Sequence, residues 1–400
     1  MILSKERKAA LDQGFQSAFG RAPARYFSAP GRTELSGNHT DHQRGRVLAA
    51  AVNLDMQAAV RENGENVIRV CSQGFPTNEI DLAVLTPIKE EENTTAALIR
   101  GVAASFVQLG CCVKGIDVYM ESTVLPGSGL SSSAAFEVLM GTIINRMFFD
   151  GKMSQPEIAM IGQTAENVFF GKPCGLMDQM ASAVGGMVTI DFEDPQNPKV
   201  EKPEFDFASC KHALCIIDTR ASHAELTDEY AAITRELKEI SNYFGKEVLR
   251  QIPEAEFYKQ LPALRQQFGD RAVLRAIHFY EENDRVTRQV EALKQGDFDT
   301  YLQEMKESGS SSYMYLQNVI PTGATMHQEV GVTLALCQKL LGGRGGYRVH
   351  GGGFAGTVQA FVPVEILEAF RKGIHAVLGE GACHVLSIRN EGGVEMETEA

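Results

Sequence analysis

The chain of 400 residues has no tryptophan, no C-x-x-C pair and no apolar run long enough to cross a bilayer. A membrane helix needs about 20 consecutive apolar residues, so a helical membrane protein is excluded. Eight cysteines, at 71, 111, 112, 174, 210, 215, 337 and 383, are too sparse for a disulfide scaffold. Positive charge is scarce as well. Lys and Arg total 38 against 51 Asp and Glu, a net charge of -13, and no basic cluster breaks the pattern. Nucleic-acid backbones are bound through a cationic face, so neither nucleic acid nor a membrane is an expected partner. Any anionic ligand must be held by local geometry instead. Residues 1–11 mix charges with single apolar side chains, unlike a secretory signal, and the expectation is a reduced, cytoplasmic protein. Low-complexity tracts and solenoid repeats are missing too.

What is present is enough apolar content, 44%, to build real cores, and enough length for two to three ordinary domains. The pattern is mixed α and β throughout. Residues 47–60 are rich in Ala and Val, and 67–71 read as a strand. From 116 to 121, Ile116, Val118 and Met120 alternate with Asp117, Tyr119 and Glu121, the period of a half-buried strand. The period then changes: Phe136, Leu139, Met140, Ile143, Ile144 and Met147 recur at helical spacing, which starts a helix near Ser132. Ser154 and Glu157 form a capping-box pair for a further helix that ends near Gly171-Lys-Pro173. Residues 193–207, rich in Pro, Asp and Glu between apolar runs, are the best candidate boundary. Beyond them, long amphipathic helices are expected over 224–244 and 272–294, then strands over 347–350 and 357–362 flanking Gly351-Gly-Gly353. The tail 392–400 reads as disordered.

Three segments carry chemistry. Leu125-Pro-Gly-Ser-Gly-Leu-Ser-Ser-Ser-Ala134 lies between the strand and helix just described. Glycines let the backbone approach a ligand, and the helix start offers unpaired N–H groups, which together suit a phosphate. The competing reading is a tight turn whose serines merely cap. A P-loop is excluded because no Gly-Lys-Ser/Thr follows, and a hydrolase elbow because the G-x-S-x-G spacing is missing. Ala29-Pro-Gly-Arg-Thr-Glu-Leu-Ser-Gly-Asn-His-Thr-Asp-His42 places donors and acceptors for hydroxyls and phosphates among turn residues. A solvated loop is the alternative there, and metal ligation by His39 and His42 lacks a second ligand cluster. The third segment is Glu166 followed by Gly171-Lys-Pro-Cys-Gly-Leu-Met-Asp-Gln179. Two carboxylates so placed suit a metal ligand and a base, although each alone is commonly a surface charge. Cys174 reads as packed rather than nucleophilic, since no base accompanies it.

These segments, in this order and together with Val349-His-Gly-Gly-Gly-Phe-Ala-Gly356, resemble the motif set of the galactokinase family of the GHMP small-molecule kinases. The resemblance runs from about 29 to about 362. It implies an α+β, two-domain GHMP kinase fold, with a ribosomal-S5-like N-terminal domain and a ferredoxin-like C-terminal domain. Residues 1–205 would bind nucleotide, 206–400 would form the second domain, and the active site would lie between. By similarity to the family, Pro126, Gly127, Ser128, Gly129, Leu130, Ser131, Ser132 and Ser133 wrap the phosphates of ATP, with Ser133 and Glu166 holding Mg2+. Asp178 would be the base, with Arg32 beside it, and Asn38, His39, Asp41, Gly175 and Tyr230 would hold a sugar. The implied activity is transfer of phosphate from ATP to the anomeric hydroxyl of galactose.

Several positions depart from the family pattern. Glu34 stands where Asn is usual, Asn38 where Glu is usual and His42 where Tyr is usual. Thr95 and Leu98 replace a Trp and a Tyr before Gly101-Val102, and Ala355 replaces a Gly. Asn38 would tolerate a carboxylate that Glu would repel, which leaves galacturonate or another hexose open. A sugar- and ATP-binding sensor without catalysis is the reading of another class. A kinase for mevalonate or homoserine fits the Gly-Ser loop but not His39-Thr-Asp41.

Overall fold

The computed structural model describes residues 1–124, 129–172, 174–221 and 226–398. The strand Arg46–Glu62 is the spine of the larger sheet. Its residues from Val47 to Val52 are completely buried, because Ala and Val side chains leave room for packing on both faces. Along one edge it pairs antiparallel with Arg25–Ser36. On the other edge its first half pairs with Met187–Asp191 and its second half with Ile116–Ser122. The neighbouring strand Arg25–Ser36 carries register shifts between Pro30 and Arg32 and between Glu34 and Ser36. Such shifts re-aim side chains, and they turn this strand toward the site.

The smaller sheet is antiparallel, in the order Gly346–His350, Thr357–Pro363, His212–Asp218 and Cys383–Leu386. The helices Thr95–Gln108, Ser132–Phe148, Gln155–Thr164 and Met177–Val184 pack around the larger sheet, while Asp270–Lys294 and Phe298–Ser311 run between the two. One apolar cluster joins both sheets: Leu35, Leu48 and Val52 of the first pack with Leu214, Ile216 and Phe361 of the second through Val286, Leu293 and Tyr301. Without tryptophan, this region is filled by smaller rings. Phe298 stacks on Tyr301 with centroids 5.4 Å apart, and Phe207 on Phe361 at 5.5 Å.

Most of the expected elements form where the pattern places them. The alternating stretch is the strand Ile116–Ser122, the apolar helix runs from Ser132 to Phe148, and Ser154 and Glu157 form the capping box. The later helices are Thr227–Tyr243 and Asp270–Lys294, residues 224 and 225 lying outside the described residues. Two features differ. The capped helix ends at Gly171 as expected, but its last turn, Ala165–Phe170, is π-helical and carries Glu166. The tail expected to be disordered holds the strand Val394–Thr398, which pairs with Arg25–Ser36 on one side and Ile2–Leu3 on the other. Its Met396 is buried, and Glu395 forms a two-pronged ion pair with Arg25 at 2.6 Å. Among the described residues no helix is long and apolar enough to cross a membrane.

Candidate active site

Arg32 emerges from the irregular strand Arg25–Ser36, and Asp178 from the first turn of the helix Met177–Val184. The guanidinium grips the carboxylate as a fork, Nε to Oδ1 and Nη2 to Oδ2, each at 2.7 Å. The hydroxyl of Ser131 donates to Oδ2 at 2.6 Å. Arg32 also reaches the Gly-Ser loop, its Nη1 donating to the Gly129 carbonyl and its backbone N–H to the Leu130 carbonyl at 3.0 Å. Ser131 (φ 57°) and Gly129 (φ 70°) are both left-handed, which folds the loop tightly ahead of the helix. Burial pushes the Asp178 carboxyl up, but the Arg32 charge, the Arg32 and Ser131 hydrogen bonds and the Lys172 charge outweigh it and hold it below the usual carboxylate range. Its side chain remains 30% exposed, so an incoming group can reach it.

The turn after the strand, Asp41–Gln43, supplies a second carboxylate. Asp41 accepts the His42 N–H at 2.9 Å and lies against Gly175, where any side chain would collide with Asp41 Oδ2. Burial, then the Asp178 charge, push the Asp41 carboxyl up to about 6. His42 is held down to about 3 by burial and by the neighbouring His39 and His278. The glycine turn 351–356 closes over this region. His39 Nε2 meets the Gly352 carbonyl at 3.0 Å, and the Tyr230 hydroxyl donates to the Gly353 carbonyl at 2.9 Å. Gly353 is left-handed (φ 79°) and sits against the Asn318 carbonyl, so only glycine fits. Ala355 is not a left-handed residue; Phe354 beside it is, with φ 57°.

Asn38 is completely buried and its amide is saturated. Nδ2 donates to Glu34 Oε1 at 3.1 Å and to the Gly351 carbonyl at 2.6 Å, while Oδ1 accepts from Asn318 at 2.8 Å and Ser312 at 3.2 Å. Glu34 in turn is paired with Arg348, itself 3.8 Å from Glu282. Glu282 accepts the Gly37 N–H at 3.1 Å and is held down to about 2: the charges of Arg285, His278 and Arg348 outweigh its burial. The carboxylate of this pair, at position 34, therefore lies on the Arg348 side of a buried network.

Glu166 is 4% exposed and lies on the π-helical turn. Its Oε1 is 3.4 Å from Lys172 Nζ, and its Oε2 accepts from Gln179 Nε2 at 2.9 Å. The same nitrogen donates to Glu137 Oε2, also at 2.9 Å. Burial and the Glu166 charge push the Glu137 carboxyl up to about 9. Ser133 lies one turn before Glu137 on the helix Ser132–Phe148. Of the loop residues expected at phosphate, Gly129, Leu130, Ser131, Ser132 and Ser133 are described, whereas Pro126, Gly127 and Ser128 lie outside the described residues.

The structure thus gathers Arg32, Asp178, Gly129, Leu130 and Ser131 into one cluster, with Asp41 and Gly175 beside it. The sequence reading missed Arg348, Glu282, Asn318, Gln179 and Glu137. Glu137 had a signal: a charge between Phe136 and Val138 in an apolar helix is too costly to bury without a partner.

A Gly-Ser loop ahead of a buried helix, an Arg–Asp fork beneath it and a glycine turn from the second sheet are the marks of a GHMP kinase. Residues 97–186 match the GHMP kinases N terminal domain, and the chain superimposes on the mevalonate kinase of Methanococcus jannaschii with a TM-score of 0.64 at 15% identity, covering 91% of this chain and 98% of that one. Within that class the chain belongs to the galactokinase family. It is 34% identical over 364 residues to the galactokinase of Glaesserella parasuis serovar 5, covering 90% of each chain. Residues 13–62 match the galactokinase galactose-binding signature. The galactokinase of Lactococcus lactis, solved with galactose, shares the fold with a TM-score of 0.83 at 23% identity, covering 96% of this chain and 99% of that one.

Arg348→Ala leaves Glu34 and Glu282 buried without that cation. Urea unfolding should show a loss of about 3–5 kcal/mol. A change under about 1 kcal/mol would mean the pair behaves like a surface contact.

Proposed function

We propose that this chain transfers the γ-phosphate of ATP to the anomeric hydroxyl of galactose, giving galactose 1-phosphate and ADP. The observation that carries the reading is the Arg32–Asp178 fork tied to the carbonyl of Gly129. Phosphoryl transfer to an alcohol needs an acceptor for the hydroxyl proton, positive charge beside the moving phosphate and alignment of both substrates. Asp178, kept ionised by Arg32, accepts the proton. Arg32 offsets negative charge as it builds on the transferred group. The Gly-Ser loop at 126–133 cradles the nucleotide phosphates, with its backbone amides at the helix start.

Mg2+ belongs to this proposal, and the residues fit it. It prefers oxygen donors, and Glu166 offers a nearly buried carboxylate whose Oε1 pairs with Lys172, itself 63% exposed. Ser133 and Glu166 would hold the ion, which when bound neutralises charge on the phosphates.

For the sugar, the proposed contacts are His39, Asp41, Gly175 and Tyr230. Asp41 accepts from neighbouring hydroxyls, and Gly175 leaves the room that Asp41 occupies. Asn38 enters as a support rather than through its own amide, whose hydrogen bonds are all spent within the protein. The same geometry offers a uronic acid no free donor at Asn38, because its nitrogen already donates to Glu34 and to the Gly351 carbonyl. A phosphotransferase rather than a sensor is favoured because Asp178 is ionised and reachable. A reduced, cytoplasmic setting completes the reading, in keeping with eight free cysteines.

Coupled ADP-release assays over a sugar panel should give the highest turnover with galactose; turnover confined to a uronic acid would overturn the substrate. Asp178→Asn keeps the shape and removes the charge, so kcat should fall by about 10²–10⁴ while sugar binding stays measurable by calorimetry. Unchanged turnover would remove Asp178 from its role. Because the Asp41 carboxyl lies at about 6, it gains a proton as pH falls through that value. The sugar KM should therefore rise about tenfold per pH unit below it, with kcat flat, in profiles from about pH 5 to about pH 8. A flat KM would exclude Asp41 as an ionised acceptor.

A further inference from the structure

We infer that Gln179, pinned by Glu137, is a positioning residue that fixes the orientation of the Glu166 carboxylate; this rests on the reading of Glu166 as a metal-holding group. Gln179 and Glu137 are completely buried and Glu166 nearly so. A single nitrogen, Gln179 Nε2, donates one hydrogen to Glu137 Oε2 and the other to Glu166 Oε2, both at 2.9 Å. Cys174 Sγ lies 3.7 Å from the same nitrogen as a third, weaker acceptor, and rotation of the amide would break both short bonds at once.

Among the described residues, two buried atoms in this group lack a partner, Glu137 Oε1 and Gln179 Oε1. A proton on Glu137 Oε1 would be the donor that Gln179 Oε1 needs. If Glu137 is a carboxylic acid, its O–H faces the Gln179 carbonyl while its other oxygen accepts the Gln179 N–H. Acid and amide then close a two-bond ring, and both orphans are satisfied. Charge points the same way, since Lys172, the cation acting on this group among the described residues, is largely exposed and pairs with Glu166.

The ring sets which way the Gln179 amide faces. Nε2 points at Glu166 Oε2, which holds that oxygen inward and leaves Oε1 on the Lys172 side. Gln179 follows Asp178 directly in the helix Met177–Val184, and Glu137 lies one turn beyond Ser133. The pin thus ties the carboxylate on the π-helical turn to the two helices that carry Asp178 and Ser133. A partner of this kind, one step removed from a metal, is commonly worth about 10–100-fold in metal affinity.

The test measures Mn2+ affinity by electron paramagnetic resonance, in the presence of a non-hydrolysable ATP analogue, alongside sugar KM and melting temperature. Gln179→Met should weaken Mn2+ by about tenfold or more with sugar KM unchanged. Glu137→Gln, which keeps a neutral two-bond pair, should stay near the parent. If Gln179→Met fails to fold, Gln179→Asn, which withdraws the amide by one methylene, carries the same expectation. Parent-like Mn2+ affinity in the folded Gln179 variant, while Glu166→Ala loses the ion, would overturn the pin and leave the metal reading standing. Loss in Glu137→Gln as large as in Gln179→Met would overturn the neutral ring on which the pin depends. Parent-like affinity in Glu166→Ala would sink the metal reading and the inference with it.

Discussion

The site depends on one fork of two hydrogen bonds between Arg32 and Asp178, residues 146 positions apart in the chain. Bringing both charges out of water is costly, and only good geometry offsets it. The local structure supplies that geometry. A register shift in the strand between Pro30 and Arg32 re-aims the guanidinium, and the helix start at Met177 aims the carboxylate. The remaining arm of the guanidinium goes to Gly129, so the same cation that keeps Asp178 ionised also holds the loop that would cradle phosphate. Loss of Asp178 would leave the buried Arg32 charge without its carboxylate, and loss of Arg32 would free both Asp178 and the Gly129 carbonyl.

Three carboxyls show how much the surroundings decide. Asp178, facing Arg32, is held low; Asp41, which lacks a cation and faces Asp178, rises to about 6; Glu137, buried against Glu166, rises to about 9. The chemistry of each follows from its partners rather than from its type. One is suited to receive a proton, one to grip hydroxyls when ionised, and one to act as a neutral hydrogen-bonding group.

Features governed by near neighbours were legible in the sequence. The alternation at Ile116–Glu121, the apolar spacing from Phe136 to Met147 and the Ser154–Glu157 box each depend on residues a few positions apart, and each forms as read. The Arg32–Asp178 pairing was accessible only through resemblance to a family, because nothing local links the two segments. The π-helical turn at Ala165–Phe170 was not legible, since one inserted residue per turn leaves no periodic mark. The strand Val394–Thr398 was misread because its polar residues Glu395 and Glu397 look solvated until Arg25 and an edge strand are supplied by distant parts of the chain. Arg348 and Glu282 escaped for the same reason: a charge in an apolar strand or helix declares that it needs a partner, not which one.

The exchange at positions 34 and 38 is the clearest case of distant structure deciding the meaning of a local change. In sequence it looks like a lost charge on the sugar side. In the fold, the carboxylate has moved four residues along the same segment and remains within hydrogen-bond reach of the amide that took its place. Arg348 meets Glu34, and Asn318 and Ser312 meet the Asn38 oxygen, so neither residue is left seeking a ligand. The pair joins the turn 351–356 to the first sheet through the Gly351 carbonyl. An exchange that keeps total charge and leaves both side chains hydrogen-bonded within the protein is a repacking of a buried network.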